Sequence, residues 1–198
     1  YLDLIRKLNL TPTILDVSTF ANVNLGFSQD IENSSSVWAL ADISPEALDI
    51  ALIKNNIIEF SRNLNWSKPK IKDAYSKESS DSAQLESLST EITKTLIDEL
   101  QQALSSCRSI EGNELVGHIF LTGGGVLNPY IVQELEKETE VSTTALKPPE
   151  PVNTLESSPS SLTLTSLSLG LREIKKQNIE TNLLPQDLRP KRKKVNLK

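Results

Sequence analysis

The sequence predicts an α/β domain, and three observations carry that prediction. Val37 to Leu64 divides into three short apolar runs separated by turn residues, the pattern of a strand meander. Ala83 to Cys107 repeats apolar residues at three- and four-residue steps, the pattern of a long amphipathic helix. Leu121-Thr122-Gly123-Gly124-Gly125-Val126-Leu127-Asn128-Pro129-Tyr130 joins a buried apolar run to a helix start, and its glycines can bring backbone amides close to a ligand. With 198 residues, 37% of them hydrophobic, the chain can bury one core, whole or split into two lobes.

Taken in order, Tyr1 to Leu10 reads as the end of a helix with Leu4, Ile5 and Leu8 on one face, stopped by Thr11-Pro12. Thr13 to Val17 reads as a short strand, and Ser18 to Phe27 as a helix capped by Ser18. Gln29 to Ser36 is a polar connector. Val37 to Ala41 is a buried strand and Asp42 to Glu46 a turn containing Pro45. Leu48, Ile50 and Leu52 alternate, which argues for a strand with one buried face. Lys54-Asn55-Asn56 is a hairpin turn, since asparagine accepts left-handed backbone, and Ile57 to Leu64 is the third strand of an antiparallel set. Ser67 to Ser82 reads as an exposed loop.

The long helix carries Leu85, Leu88, Ile92, Leu96, Leu100 and Leu104 on one stripe and ends within Ser109 to Asn113. Val116 to Leu121 is a buried strand. Asn128 is an N-cap, Pro129 fits the first helical turn, and the helix runs to about Thr139. Val141 to Leu146 is a strand, and Lys147 to Val152 a proline-rich loop. Pro159 to Lys176 leaves two readings open: Leu162, Leu164, Leu167, Leu169 and Leu171 alternate in part, while Leu164, Leu167, Leu171 and Ile174 fit a helix ending at Lys175-Lys176. Gln177 to Lys198 is proline-broken and basic. It reads as a solvated end, a juxtamembrane basic stop or a linear docking motif.

Composition narrows the function classes. The net charge of -5 gives no general nucleic-acid footprint. No stretch approaches a membrane span and no signal peptide is visible. Cys107 is the only cysteine, so no intrachain disulfide or cysteine zinc site forms, and a reduced cytoplasmic compartment is expected. The absence of methionine, at position 1 included, leads us to expect a piece of a longer protein. His118, the only histidine, reads as a packed strand residue: it has no cysteine or histidine partners for zinc and no Gly-x-Ser-x-Gly elbow to serve. Cys107 reads as a small apolar residue.

The same blocks resemble the second half of the actin-like ATPase superfamily, whose lobes have a ribonuclease H-like fold. Val37 to Leu64 resembles the meander whose first turn holds the phosphate-2 loop, Ala83 to Cys107 the long helix before the adenosine motif, and Leu121 to Tyr130 that motif itself. The PilM family of type IV pilus assembly proteins is a closer resemblance. Leu10-Thr11-Pro12-Thr13-Ile14-Leu15-Asp16-Val17 is similar to the segment leading out of the first lobe. Ser168-Leu169-Gly170-Leu171-Arg172 is similar to the family's terminal Gly-Leu-Ala-Leu-Arg helix, which decides residues 159–176 for a helix. Asn182-Leu183-Leu184-Pro185 is similar to the Ile-Asn-Leu-Leu-Pro element that opens PilN, the membrane partner whose peptide docks onto PilM.

The resemblance implies an incomplete actin-like fold with residues 1–28 as a remnant of the first lobe, 29–176 as the second lobe, and 177–198 as a PilN-like basic tail. It implies a natural PilM–PilN fusion, with the run Arg189-Pro190-Lys191-Arg192-Lys193-Lys194 flanking a downstream membrane helix. Candidate nucleotide-site residues are Asp42, Ser44, Gly123, Gly124 and Gly125; candidate partner-binding residues are Asn182, Leu183, Leu184 and Pro185. No catalytic residue and no metal ligand is assigned. The phosphate-2 loop needs aspartate, glycine and small hydroxyls. Here Ser44 stands for the glycine, Pro45 removes a donor, and Glu46 opposes a triphosphate. No cofactor is expected of these residues alone, although the resemblance leaves room for ATP and magnesium in an intact family member. The expected function is therefore a cytoplasmic interaction scaffold of a type IV pilus assembly complex at the inner-membrane face, partnered by a PilN-like segment and other pilus assembly proteins. The alternatives are an ATP-binding actin-like ATPase and a GspL-like type II secretion domain.

Overall fold

The computed structural model describes residues 2–29, 37–44, 47–65, 82–111, 115–148, 163–172 and 176–190. Its centre is a five-stranded sheet in the order β3-β2-β1-β4-β5, formed by β1 (Val37–Ile43), β2 (Ala47–Lys54), β3 (Ile57–Asn65), β4 (His118–Thr122) and β5 (Ser142–Ala145). β1, β2 and β3 pair antiparallel in the expected meander, while β1–β4 and β4–β5 pair parallel. The β2–β3 hairpin closes at Asn55 and Asn56, whose φ values of 49° and 66° are the left-handed pair that a tight hairpin turn needs.

Parallel neighbours require a crossover, and helices supply both of them. α3 (Ser82–Glu111) lies in the β1-to-β4 connection and α4 (Pro129–Thr139) in the β4-to-β5 connection. Both cover one face of the sheet, where Ile92, Leu96, Leu100, Ile131 and Leu135 pack on Ala39, Ala41, Ile43, Leu48, Ile50, Leu52, Ile119 and Leu121. Arg62 of β3 ties that layer together at its rim, bonding Glu99 at 2.9 Å and Gln102 at 2.7 Å. The other face is covered by α2 (Ser18–Gly26) and α5 (Leu164–Leu171), which bring Val23, Leu25 and Leu164 onto Trp38, Leu40, Ala51, Ile53 and Phe120. No described helix is long and apolar enough to cross a membrane.

Four expectations are corrected. β2 is buried on both faces, because α2 and α5 cover Ala51 and Ile53 while α3 covers Leu48, Ile50 and Leu52. Thr13 to Val17 is no strand of the sheet. It lies outside the sheet, without regular structure, and is bonded by residues 182–183 instead. Ser18 is not the cap of α2: Val17 holds that position with extended backbone and no side-chain cap bond. Asp16, the nearest side chain able to cap, is drawn to Arg172. Asp42 and Ile43 continue β1 rather than turning, because both keep register with β2. The short first helix, α1 (Leu2–Lys7), buries no residue, and Leu4 and Leu8 are exposed. Of the expected loop at 67–82, Ser82 begins α3 instead, while residues 67–81, the turn residues Pro45 and Glu46, the side chain of Cys107 and the basic run at 191–194 lie outside the described residues.

Candidate functional site

The ends of β1 and β4 bring the predicted nucleotide-site residues together. Asp42 and Thr122 are register partners across the parallel pair, and Gly123 follows directly. Gly124–Leu127 forms a single 3-10 turn. Asn128 then caps α4 as expected, its side chain accepting from the Tyr130 amide at 3.1 Å, with Pro129 at the first helical position. Gly123 has φ 83° and ψ -177°, a conformation open essentially to glycine alone. A Cβ there would collide with Asp42 Oδ1 and lie 2.6 Å from the Ile43 carbonyl oxygen. The space beside Gly123 is therefore filled by β1 itself.

Asp42 is turned inward. Asn22 Nδ2, from α2, donates to its Oδ2 at 3.0 Å. Asp49 is its register partner on β2 and accepts from Asn63 at 2.7 Å. Burial and then the Asp49 charge raise the Asp42 pKa from 3.8 to about 6, against the Asn22 hydrogen bond, which lowers it. Asn22 Oδ1 and Thr122 Oγ1 are buried beside it with no hydrogen-bond partner among the described residues. Ser44 closes its own turn: its hydroxyl donates to the Ala47 carbonyl at 2.9 Å and accepts from the Ala47 amide at 3.0 Å.

These residues do not fit a magnesium-bound triphosphate at the Asp42 end. The Ser44 hydroxyl is engaged within its own turn and β1 fills the side of Gly123 that faces Asp42, so neither offers a free donor or an open approach to phosphate there. The buried acid has a consequence for stability. A folded pKa raised above the unfolded value means the native state holds the extra proton between about pH 4 and 6. This contribution is present below about pH 4 and is lost as pH rises through 6. Asp42→Asn keeps an acceptor for Asn22 and removes the charge. It is expected to stabilise the protein at pH 8 by up to ~3 kcal/mol and to flatten the pH slope over that window. Urea titrations at pH 4 and pH 8 decide it; an unchanged slope would show that another group titrates there.

The candidate partner-binding residues lie elsewhere, where the tail returns to residues 13–17. The Leu183 amide donates to the Leu15 carbonyl at 2.7 Å. Asn182 grips the same stretch from both sides: its Oδ1 accepts from the Leu15 amide at 3.1 Å and its Nδ2 donates to the Thr13 carbonyl at 3.1 Å. Leu184 is fully buried, whereas Leu183 is 55% exposed and Pro185 is exposed.

Asn24, Asp16, Arg172 and Arg189 also build this site, and the sequence reading assigned no binding role to them. Asn24 reads the backbone of Ile179, donating to its carbonyl and accepting from its amide at 2.9 Å each. The Arg172 guanidinium pairs with Asp16 and donates to the Thr181 carbonyl at 2.6 Å. Arg189 folds the tail on itself, donating to the carbonyls of Leu184 at 2.7 Å and Asn182 at 2.6 Å. One sequence signal was available: Asn22 and Asn24 interrupt an otherwise apolar helix, and a buried asparagine needs partners.

No family model matches the chain, and no curated protein sequence matches it. Among solved structures it is similar to the PilM-PilN type IV pilus biogenesis complex, with a TM-score of 0.66 and 21% identity, over 88% of this chain and 56% of that one. It is also similar to MreB5 of Spiroplasma citri bound to ADP, with a TM-score of 0.51 and 14% identity, over 87% of this chain and 63% of that one. The chain spans less than two thirds of the length of either. At these identities the likeness establishes the architecture: a mixed α/β, actin-like lobe built on a five-stranded sheet.

Proposed function

We propose that this chain belongs to a cytoplasmic interaction scaffold of a type IV pilus assembly complex, at the inner-membrane face, and works by docking extended peptide segments of the PilN type. In this reading residues 1–28 come from the first actin-like lobe, 29–176 form the second, and 177–198 are the PilN-like element. The observation that carries it is the seating of Asn182 and Leu183 against Thr13 and Leu15: an Asn-Leu-Leu-Pro segment held by paired amide bonds, with Leu184 fully buried. The likeness to a PilM–PilN complex supports a partner of that kind. The self-satisfied turn at Ser44 and the inward Asp42 argue for a scaffold over an ATPase.

Hydrogen exchange tests the docking. Leu184→Ser is expected to speed exchange at the Leu183 and Ile179 amides at least tenfold, and Leu183→Ser to leave them protected. Protection unchanged in Leu184→Ser sinks the docking reading. Calorimetry with Mg-ATP tests the other side: no saturable binding is expected, and binding abolished by Gly124→Arg would favour the ATPase reading.

A further inference from the structure

The contacts that hold the tail divide into two kinds. Asn24, the Leu15 carbonyl and Arg172 all meet the tail's backbone, at Ile179, Leu183 and Thr181. Any extended segment offers those groups. Among the described residues three tail side chains are read as well: Asn182 through its amide, Leu184 through burial, and Ile179, which packs against the cluster that holds Val23, Leu25 and Trp38. A core element is held mainly by interlocking side chains. A surface that reads backbone along a stretch of chain, and side chains at only three positions, is suited to holding a peptide.

We propose that residues 13–17, Asn24 and Arg172 hold a peptide segment carrying asparagine at one position and leucine two residues on, and that residues 179–184 of the same chain, which lead into the 3-10 turn Gln186–Leu188, are its built-in competitor. This inference rests on the docking reading above. A matching segment presented by another chain enters only by displacing the tail. The tail is tethered to the body it binds, so it acts at an effective concentration on the order of 1 mM. A site with an intrinsic Kd of about 0.1 mM would then be roughly 90% self-occupied, and an outside peptide would bind about tenfold more weakly than to an open site. Arg189 raises the barrier by pre-forming the bound shape, since its two bonds lie wholly within the tail. Asp16 and Arg172 pair with each other beside the Thr181 contact, so the body keeps its charge balance when the tail leaves.

The test uses the full chain and a fluorescein-labelled peptide of residues 177–190, read by fluorescence polarisation. The Asn182→Ala, Leu184→Ser double variant is expected to bind the peptide about tenfold more tightly than the natural chain. Adding Asn24→Ala to that double variant is expected to cost tenfold or more. Arg189→Ala, at an exposed tail residue that bonds only the tail among the contacts described, is expected to tighten binding several-fold and guards against misfolding of the double variant. Equal affinity for the natural chain and both tail variants, with the Asn24 dependence intact, overturns the competition and leaves docking standing. No binding by any form overturns docking itself.

Discussion

Arg172→Ala is expected to cost about 3–5 kcal/mol of folding stability, the range for removing one partner of a buried ion pair. The Arg172 and Asp16 side chains are 6% and 0% exposed, so neither charge is solvated. Truncating the arginine leaves the Asp16 carboxylate buried without its cation and the Thr181 carbonyl without its donor. The same substitution separates the end of α5 from both the 13–17 segment and the tail. Urea denaturation measures the loss. The Arg172→Met, Asp16→Leu double variant should recover most of it, because an apolar pair carries no uncompensated charge. A loss below about 1 kcal/mol for Arg172→Ala would mean that water screens the pair as it does at a surface.

Gly123→Ala is expected to cost about 3 kcal/mol or more, by two effects that add. The backbone at φ 83° and ψ -177° is strained for any residue with a Cβ. That Cβ would also meet Asp42 and the Ile43 carbonyl, and the carbonyl belongs to a paired strand that cannot step aside. Gly170 is the control: it lies in α5 with nothing within 4 Å of a built Cβ, so Gly170→Ala should be neutral or slightly stabilising. Thermal unfolding of the two variants separates them, and a Gly123→Ala protein that melts with the natural one would refute the close approach of β1 to the glycine turn.

The elements legible in the sequence were those set by local chemistry. Asn55-Asn56 announced its hairpin, Asn128-Pro129 its helix start, and the Ile92, Leu96, Leu100 stripe its helix, because each signal resides in neighbouring residues. What was not legible depends on residues far apart in the chain. Leu48, Ile50 and Leu52 alternate as a one-sided strand would, and only the placing of α2 and α5 shows why Ala51 and Ile53 are buried too. Thr13 to Val17 has strand composition, but its partner is the tail, outside the sheet. At the nucleotide-type site the residues were found, and their orientation was not. Whether Ser44 faces a ligand or its own turn depends on a rotamer that no spacing encodes. In the docking segment the identity of Asn182 and Leu184 was readable, whereas the partners Asn24 and Arg172 required the fold.

The bond from Leu15 to Asn182 spans 167 residues, so the two extremities of the described chain are stapled to each other. A contact of such sequence separation closes a long loop, and the sheet between its ends meets most of that entropic cost by bringing the flanks together. It is also the first to bear load when the extremities are pulled apart. Tension between the two ends would load these bonds, together with the buried Asp16–Arg172 pair, before it reached the sheet, so this seam is the shackle through which the domain would be pulled.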